Sequence, residues 1–401
     1  MEYPPSYSFA SSSHSSHHQP GSTSLSSQRS LISVPSLNSS TTTATTFHQC
    51  LTTLKGHTSH ISSLTLSGKF LYTGSSDREI RSWNRTPLNS HPQNSILAGN
   101  GAVKSLIIQS NKLFSAHQDH KIRVWKISNT NNNGKHEHEV DDHKKYTHVA
   151  TLPTLGDRAS KVLIPKNHVQ IRRHKKCTWV HHVDTVSALA LSKDGSLLYS
   201  VSWDRSIKIW RTKDFACLES VTSAHEDAIN AVAVSYDGRV YTGSADKRIK
   251  VWRKEEGEGK HRLVESLEKH KSGVNALALS SDERHLYSGA CDRSVLVWET
   301  QGERMGLVGA LRGHTKSILC LAVVGDLVCS GSADKTIRIW RGFHAQYSCL
   351  AVLEGHGGSI KCLTAVLDHC NPSHSQTSFL LYSGSLDCDI KVWQILVPSS
   401  I

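Results

Sequence analysis

A seven-residue pattern, Asp-x-x-Ile/Val-x-x-Trp, occurs seven times in this 401-residue chain with unchanging internal spacing. Its ends are Asp77/Trp83, Asp119/Trp125, Asp204/Trp210, Asp246/Trp252, Asp292/Trp298, Asp334/Trp340 and Asp387/Trp393. Successive aspartates lie 42, 85, 42, 46, 42 and 53 residues apart. Upstream of each pattern lies an alternating apolar stretch, such as Val186–Leu191 or Ile229–Val234, and then a shorter run such as Leu198-Tyr-Ser. Period-2 alternation broken by turn residues predicts short antiparallel strands. Four such strands in about 42 residues match one blade of a β-propeller. The chain is therefore predicted to be all-β, a seven-bladed propeller over residues 47–397.

Residues 1–46 contain 22 Ser or Thr, and only Glu2 and Arg29 carry a full charge. So few large apolar residues cannot offset the entropy of ordering a chain, which predicts a disordered tail. Within it, Arg29-Ser30-Leu31-Ile32-Ser33-Val34-Pro35 would place a phosphate on Ser30 or Ser33 beside Arg29, a pattern that Arg-lined grooves read. The ten cysteines include no C-x-x-C pair, which argues against a zinc ribbon or a redox motif and for reduced thiols. No apolar run reaches the length of a membrane span, and the N-terminus lacks the pattern of a secretory leader. An intracellular protein without cofactor or metal is expected, and its net charge of +12 favours acidic partners.

Gly56-His57, Gly313-His314 and Gly355-His356, with Ala224-His225 and Lys269-His270 as looser versions, combine with the Trp-ended pattern to resemble the WD-repeat (WD40) family. None of the seven tryptophans is followed by the Asp that gives that family its name. The resemblance implies a His in the loop entering each blade, a Ser on the second strand, the Asp in the next turn and the Trp on the third strand. The sets it assigns are His57/Ser75/Asp77/Trp83, His182/Ser202/Asp204/Trp210, His225/Ser244/Asp246/Trp252, His314/Ser332/Asp334/Trp340 and His356/Ser385/Asp387/Trp393. A chain from Trp through Ser and His to Asp satisfies every polar group inside a buried blade. Blade five has Ala290 at the expected Ser. Blade two has Gly99 and His117 at the His and Ser positions, so it is expected to be the least braced, and Asp119→Ala should cost less than Asp334→Ala. A catalytic Ser-His-Asp reading is rejected, because the indole occupies each hydroxyl and nothing supplies an oxyanion hole. The family also implies that the strand at 48–54 completes the last blade against 390–396.

The 85-residue gap marks an insertion, residues 126–181, placed around the outer strand of blade two with Thr147–Leu152 as that strand. It holds 11 Lys+Arg against 5 Asp+Glu. Arg172, Arg173, Lys175 and Lys176 form its basic patch, read either as a nuclear-import or anion-binding signal or as a solvated loop. His136, Glu137, His138, Glu139, Asp141, Asp142 and His143 have metal-ligand chemistry but no fixed geometry, and no metal site is assigned. Ala150-Thr-Leu-Pro-Thr-Leu155, the basic stretch, Trp179-Val-His-His182 and Ser202-Trp-Asp-Arg-Ser206 are similar to plant JINGUBANG-like WD-repeat proteins. That resemblance implies a plant regulatory scaffold of cytoplasm and nucleus, associated with restraint of pollen germination and with a transcription-factor partner.

The leading reading is a non-catalytic interaction platform of monomeric propellers. Arg78, Arg205, Lys247, Arg293 and Lys335 each follow a turn Asp, and a rim of cations suits acidic or phosphorylated peptides. Trp203 lies directly before Asp204, either exposed as an anchor on that rim or packed against the neighbouring blade. Two other readings are a substrate receptor of a cullin-type ubiquitin ligase and a non-specific nucleic-acid binder. The first lacks the Trp-Asp-x-Arg pattern, and the second lacks aromatics among the basic residues. Membrane binding is not expected.

Overall fold

The computed structural model describes residues 34–37, 46–85, 91–92, 94–129, 144–162, 168–172, 175–255, 257, 259–343, 346–368 and 376–398. Blade one shows the repeating unit. Its strands Ile61–Ser67, Phe70–Ser75, Glu79–Asn84 and Asn94–Leu97 pair antiparallel in chain order. Among the described residues there are seven such four-stranded sheets. The seventh comprises Ile360–Leu367, Gln376–Ser385 and Ile390–Pro398, and takes its fourth strand, Phe47–Leu54, from the other end of the chain. Cys50 lies opposite Trp393 and Leu54 opposite Ile390, so the ring closes as the family resemblance implies. The first strand of each blade touches that of the next, and the last touches the first. Pairing the two ends in one sheet removes a pair of open edges.

The apolar core lies between blades rather than within one. Strand alternation gives every sheet two faces, and both are covered by neighbours. Phe70, Tyr72 and Ile80 of blade one pack with Val103, Leu106 and Trp125 of blade two. Ile337 and Ile339 of blade six pack with Ile360, Leu381 and Trp393 of blade seven. Trp210, Trp252 and Trp340 are buried in the same way, each in the cluster between its own blade and the preceding one.

The polar brace inside each blade differs from the expected one by two residues. Trp83 Nε1–H donates to Thr73 Oγ1 at 3.0 Å, and His57 Nε2 meets that same hydroxyl at 2.7 Å. His57 Nδ1 then faces Asp77 at 2.7 Å. The other four expected sets need the same correction. Trp210 donates to Ser200 rather than Ser202, and Trp252 to Thr242 rather than Ser244, both at 2.9 Å. Trp340 donates to Ser330 rather than Ser332 at 2.9 Å, and Trp393 to Ser383 rather than Ser385 at 2.8 Å. Register explains the correction. Trp83 is paired with Leu71, so Thr73 is two residues along the strand and Ser75 four. At about 3.3 Å per residue that puts Ser75 roughly 13 Å away, beyond an indole's reach. Trp210 opposite Leu198, Trp252 opposite Val240 and Trp340 opposite Val328 repeat that register. Ser75 instead donates to the Ser59 carbonyl at 2.9 Å and accepts the Asp77 N–H at 3.2 Å, holding the turn. Ser202, Ser244 and Ser332 do the same against Asp184, Asp227 and Lys316, and Ser385 accepts the Asp387 N–H.

Blade five, expected to be incomplete because of Ala290, has a full brace. Trp298 donates to Ser288 at 2.9 Å, Ser288 meets His270 at 2.8 Å, and His270 meets Asp292 at 2.8 Å. Burial is the largest influence on Asp292 and pushes its carboxyl up. The hydrogen bond and charge of His270, with hydrogen bonds from Ser294 and the Lys271 backbone, together outweigh it and leave Asp292 at about 2. In blade six, burial pushes His314 down and keeps it neutral.

Blade two reaches the same end differently. Trp125 donates to Ser115 at 2.9 Å, and His117 Nε2, from the end of the same strand, meets that hydroxyl at 2.8 Å. Gly99 stands where other blades have the loop His, and Arg123 fills the room. A Cβ on Gly99 would lie 2.5 Å from the guanidinium, and its φ of +131° is one that side chains rarely adopt. Arg123 donates to both oxygens of Asp119, at 3.1 and 2.5 Å. The expectation that Asp119 lacks partners is therefore corrected.

The outermost strand of blade two is Lys144–Leu152, three residues longer at its start than expected. The helix Leu155–Val162 follows, its first turn capped by Thr154 Oγ1, which accepts the Asp157 N–H at 3.1 Å. The Asp157 carboxylate in turn accepts the Cys217 N–H of blade three at 3.3 Å. A two-stranded hairpin, His168–Arg172 with Lys175–Thr178, then leads into blade three.

Candidate protein-interaction face

The turn between second and third strands carries a left-handed residue in all seven blades, and the same pair of hydrogen bonds holds it in six. Asp77 Oδ1 accepts the Glu79 N–H at 2.9 Å, and the Arg78 N–H donates to the Ser75 carbonyl at 3.2 Å. This holds Arg78 left-handed at φ 72°. The corresponding residues His120, Arg205, Lys247, Arg293, Lys335 and Cys388 have φ between 66° and 73°. A left-handed residue with a Cβ costs roughly 1–2 kcal/mol, and in six blades the Asp hydrogen bonds offset it, while in blade two Asp119 is turned to Arg123 instead. Arg78, Arg205, Lys247, Arg293 and Lys335 are all exposed, on the same turn of five blades. Among the described residues, none of these five side chains is ion-paired.

Inside this rim opens the axial channel, with a cavity of about 470 Å³ at its mouth. The second residue of each blade's first strand lines it. Ser62, Ser187, Asn230 and Asn275 use that position to tie blades together. Ser62 donates to the Val103 carbonyl, Ser187 to that of Ile229 at 2.5 Å, Asn230 to that of Val274 at 3.0 Å and Asn275 to that of Ile318 at 2.8 Å. Lys104 and Lys361 occupy the same position and make no such tie. His60 joins them on the lining. Burial is the largest influence that pushes the Lys104 ammonium down, with the positive charge of Lys361 adding to it. Burial, Lys104 and Lys361 also push His60 down.

Trp203 stands at this mouth, 41% exposed, with Lys104 Nζ 5.7 Å from its ring centroid. The ring is thus partly exposed and carries a cation from blade two. The sequence reading missed Lys104, Lys361 and His60. Aligning the seven first strands column by column exposes them, since two lysines then interrupt a column of Ser, Asn and Leu.

Of the basic patch, Arg172, Lys175 and Lys176 lie on the hairpin strands, while Arg173 lies outside the described residues. His136–Glu139 and Asp141–His143 also lie outside them, as do Arg29–Ser33 of the phosphate-reading pattern. His57, Asp77 and Glu79 come close enough to suggest a metal site, yet both His57 nitrogens are already engaged, with Asp77 and Thr73.

The sequence profile for "WD domain, G-beta repeat" matches residues 48–84, 174–211, 216–253, 261–299, 305–341 and 347–394, more than half of the chain. The chain belongs to the WD40 family. The matched WD40 segments leave out residues 85–173, where blade two and most of the insertion lie. Among curated proteins, the chain is 28% identical to the 66 kDa stress protein of Physarum polycephalum, over 67% of this chain and 44% of that one. It is 27% identical to transducin beta-like protein 3 of Bos taurus, over 43% and 24%. It is 25% identical to ribosome biogenesis protein ytm1 of Aspergillus clavatus, over 40% and 36%. The chain spans less than half the length of each of these relatives. WD40 propellers typically bind other proteins or peptides and are generally non-catalytic scaffolds.

Proposed function

We propose that this WD40 protein is a non-catalytic scaffold whose turn-side face binds an acidic or phosphorylated peptide. The observation that carries this reading is the pair Lys104 and Lys361 lining the channel mouth, both half-buried and without the interblade ties made by Ser62, Ser187, Asn230 and Asn275, beside the partly exposed ring of Trp203. Two ammonium groups facing one cavity repel each other, so an anion placed between them relieves that repulsion and gains charge-assisted hydrogen bonds. Trp203 supplies the rigid apolar anchor, and Arg78, Arg205, Lys247, Arg293 and Lys335 attract the rest of an acidic segment over a longer range. The insertion motifs support a regulatory role of the JINGUBANG-like kind, with a transcription factor as one partner and residence in cytoplasm and nucleus.

Fluorescence anisotropy against pools of acidic and phosphorylated peptides tests the reading. Lys104→Glu with Lys361→Glu should weaken binding at least about tenfold, and Trp203→Ala should weaken it at every salt concentration. Undiminished binding by the folded double-lysine variant overturns the proposal.

A further inference from the structure

Blades three and four, and blades four and five, are tied along their outermost strands as well as at the channel. On each outermost strand one residue faces the residue preceding the blade's Trp. In blade three it is Glu219, opposite Ile209, and in blade four Glu265, opposite Val251. Each reaches the next blade. Glu219 accepts the His261 N–H at 2.9 Å, and Glu265 accepts the Met305 N–H at 2.9 Å. In blade five the residue is Gly309, opposite Val297, which has no carboxylate to offer. The N–H that awaits it is that of Tyr347, which stands opposite Gly342 as Met305 stands opposite Thr300.

That N–H is taken by the N-terminal tail. Tyr347 N–H donates to the Leu37 carbonyl at 2.9 Å. Ser36 forms a parallel bridge with Ala310, whose N–H donates to the Pro35 carbonyl at 2.9 Å and whose carbonyl accepts the Leu37 N–H at 3.0 Å. Arg312 Nη2 donates to the Val34 carbonyl at 2.9 Å. Val34 is 3% exposed, and Leu37 packs into the cluster that holds Tyr287 and Tyr347. Pro35 and Ser36 face solvent. A Cβ on Gly309 would lie 2.6 Å from the Leu37 side chain and 2.9 Å from the Pro35 carbonyl oxygen. The glycine that removes the tie also makes the room for its replacement.

We infer that the junction of blades five and six is a binding site for an extended apolar-Pro-small-Leu peptide, of which Val34–Leu37 is the resident ligand in cis. The selectivity follows from the contacts. The first residue enters a closed apolar site, the second needs no N–H, the third is free, and the fourth fits only above a glycine. Main-chain pairing supplies affinity and the alternate pockets supply specificity, as in other strand additions. The tail's own segment is tethered, at an effective concentration in the millimolar range. A partner carrying the same pattern therefore has to displace it, and the tail holds the site shut against weak competitors.

The test uses the full-length chain and a fluorescent peptide of residues 31–40. Leu37→Asp empties the site in cis, so the peptide should bind this variant at least about tenfold more tightly than wild type. Adding Gly309→Val should abolish that binding. Hydrogen exchange of the Tyr347 and Ala310 amides should speed up in Leu37→Asp and slow again when peptide is added. Val34→Ser, milder, should give the same order with a smaller change and serves if Leu37→Asp fails to fold in a melting experiment. Equal binding to wild type and to the folded tail variants overturns the proposal, as does binding that survives Gly309→Val. A Tyr347 amide that exchanges as fast in wild type as in the tail variants overturns it too. None of these outcomes depends on the channel mouth, so the two proposals fail separately.

Discussion

Blades two and six solve one problem with different parts. Each must keep a buried indole N–H, a hydroxyl, an imidazole and a carboxylate satisfied between two neighbours. Blade six does so with a His from the entry loop, His314, which joins Ser330 to Asp334 at 2.9 and 2.8 Å. Blade two splits the task. His117 serves the hydroxyl from within the strand, and Arg123 serves the carboxylate through the space left by Gly99. The comparison teaches that what persists is satisfaction of buried polar groups, not the identity of the groups. It also explains why the WD40 profile passes over blade two while the fold does not.

The sharpest way to break the comparison is to remove the carboxylates. Asp119→Ala leaves the Arg123 guanidinium unpaired and largely buried, and should cost about 3 kcal/mol in denaturant unfolding. Asp334→Ala leaves a neutral imidazole without its acceptor, and should cost about 2 kcal/mol. The repeat pattern alone argues the reverse order, so a smaller loss for Asp119→Ala would restore the view that blade two is weakly braced.

Removing the hydroxyls should make the two blades alike. Ser115→Ala and Ser330→Ala each strip a partner from both a Trp and a His, at about 2 kcal/mol apiece. Ser332→Ala, which loses its bonds to the Lys316 carbonyl and from the Asp334 N–H but leaves Trp340 and His314 alone, should cost about 1 kcal/mol, like the loss of a helix cap. Equal losses for Ser330→Ala and Ser332→Ala in the same unfolding series would contradict the register argument.

Acid separates imidazoles from carboxylates. Burial, aided by the charge of Arg123, pushes His117 down to about 4. The folded state therefore prefers the neutral ring. Its contribution is full above the ordinary value of about 6.5 and is lost as pH falls from there toward 4, by at most about 1.4 kcal/mol per unit. His117→Gln should flatten that slope in a pH series of melting curves. Asp334, held at about 2 by hydrogen bonds and His314 against the opposing effect of burial, acts lower. Its contribution is present above about 3.8 and is lost as pH falls toward 2.

The smallest effect concerns the glycine that admits Arg123. Gly99→Ala should cost about 1 kcal/mol from strain and crowding of the guanidinium. Gly355→Ala in blade seven shares the positive φ, 139°, but meets only Trp393 at 3.5 Å. It should therefore cost less than Gly99→Ala in a paired thermal comparison.

The blade count was legible because it rests on local facts, a spacing, an alternation and a turn residue, whereas the strand that closes the ring was legible only through the family resemblance. The brace was legible one column away from where the family pattern suggested. Each of the seven repeat tryptophans has a Ser or Thr ten residues before it, at 73, 115, 200, 242, 288, 330 and 383, including the two blades that the family pattern leaves incomplete. Choosing between Ser75 and Thr73 needs the cross-strand register, which the sequence does not state. The rim cations were visible as neighbours of the turn Asp. Lys104 and Lys361 were not, because nothing local distinguishes a lysine facing a channel from one facing solvent.

By itself, then, the sequence determined how often the unit repeats, where its turns fall and which faces of its strands are apolar, since each follows from residues a few positions apart. Tertiary structure alone decided what meets across blades: two lysines and a tryptophan from three different repeats around one channel mouth, a guanidinium in the space of a missing imidazole, and Val34–Leu37 against a glycine more than 270 residues away. The physical reason is that the ring is closed by packing between sheets. Two positions become neighbours only after every blade between them has taken its angle, and no short stretch of sequence carries that sum.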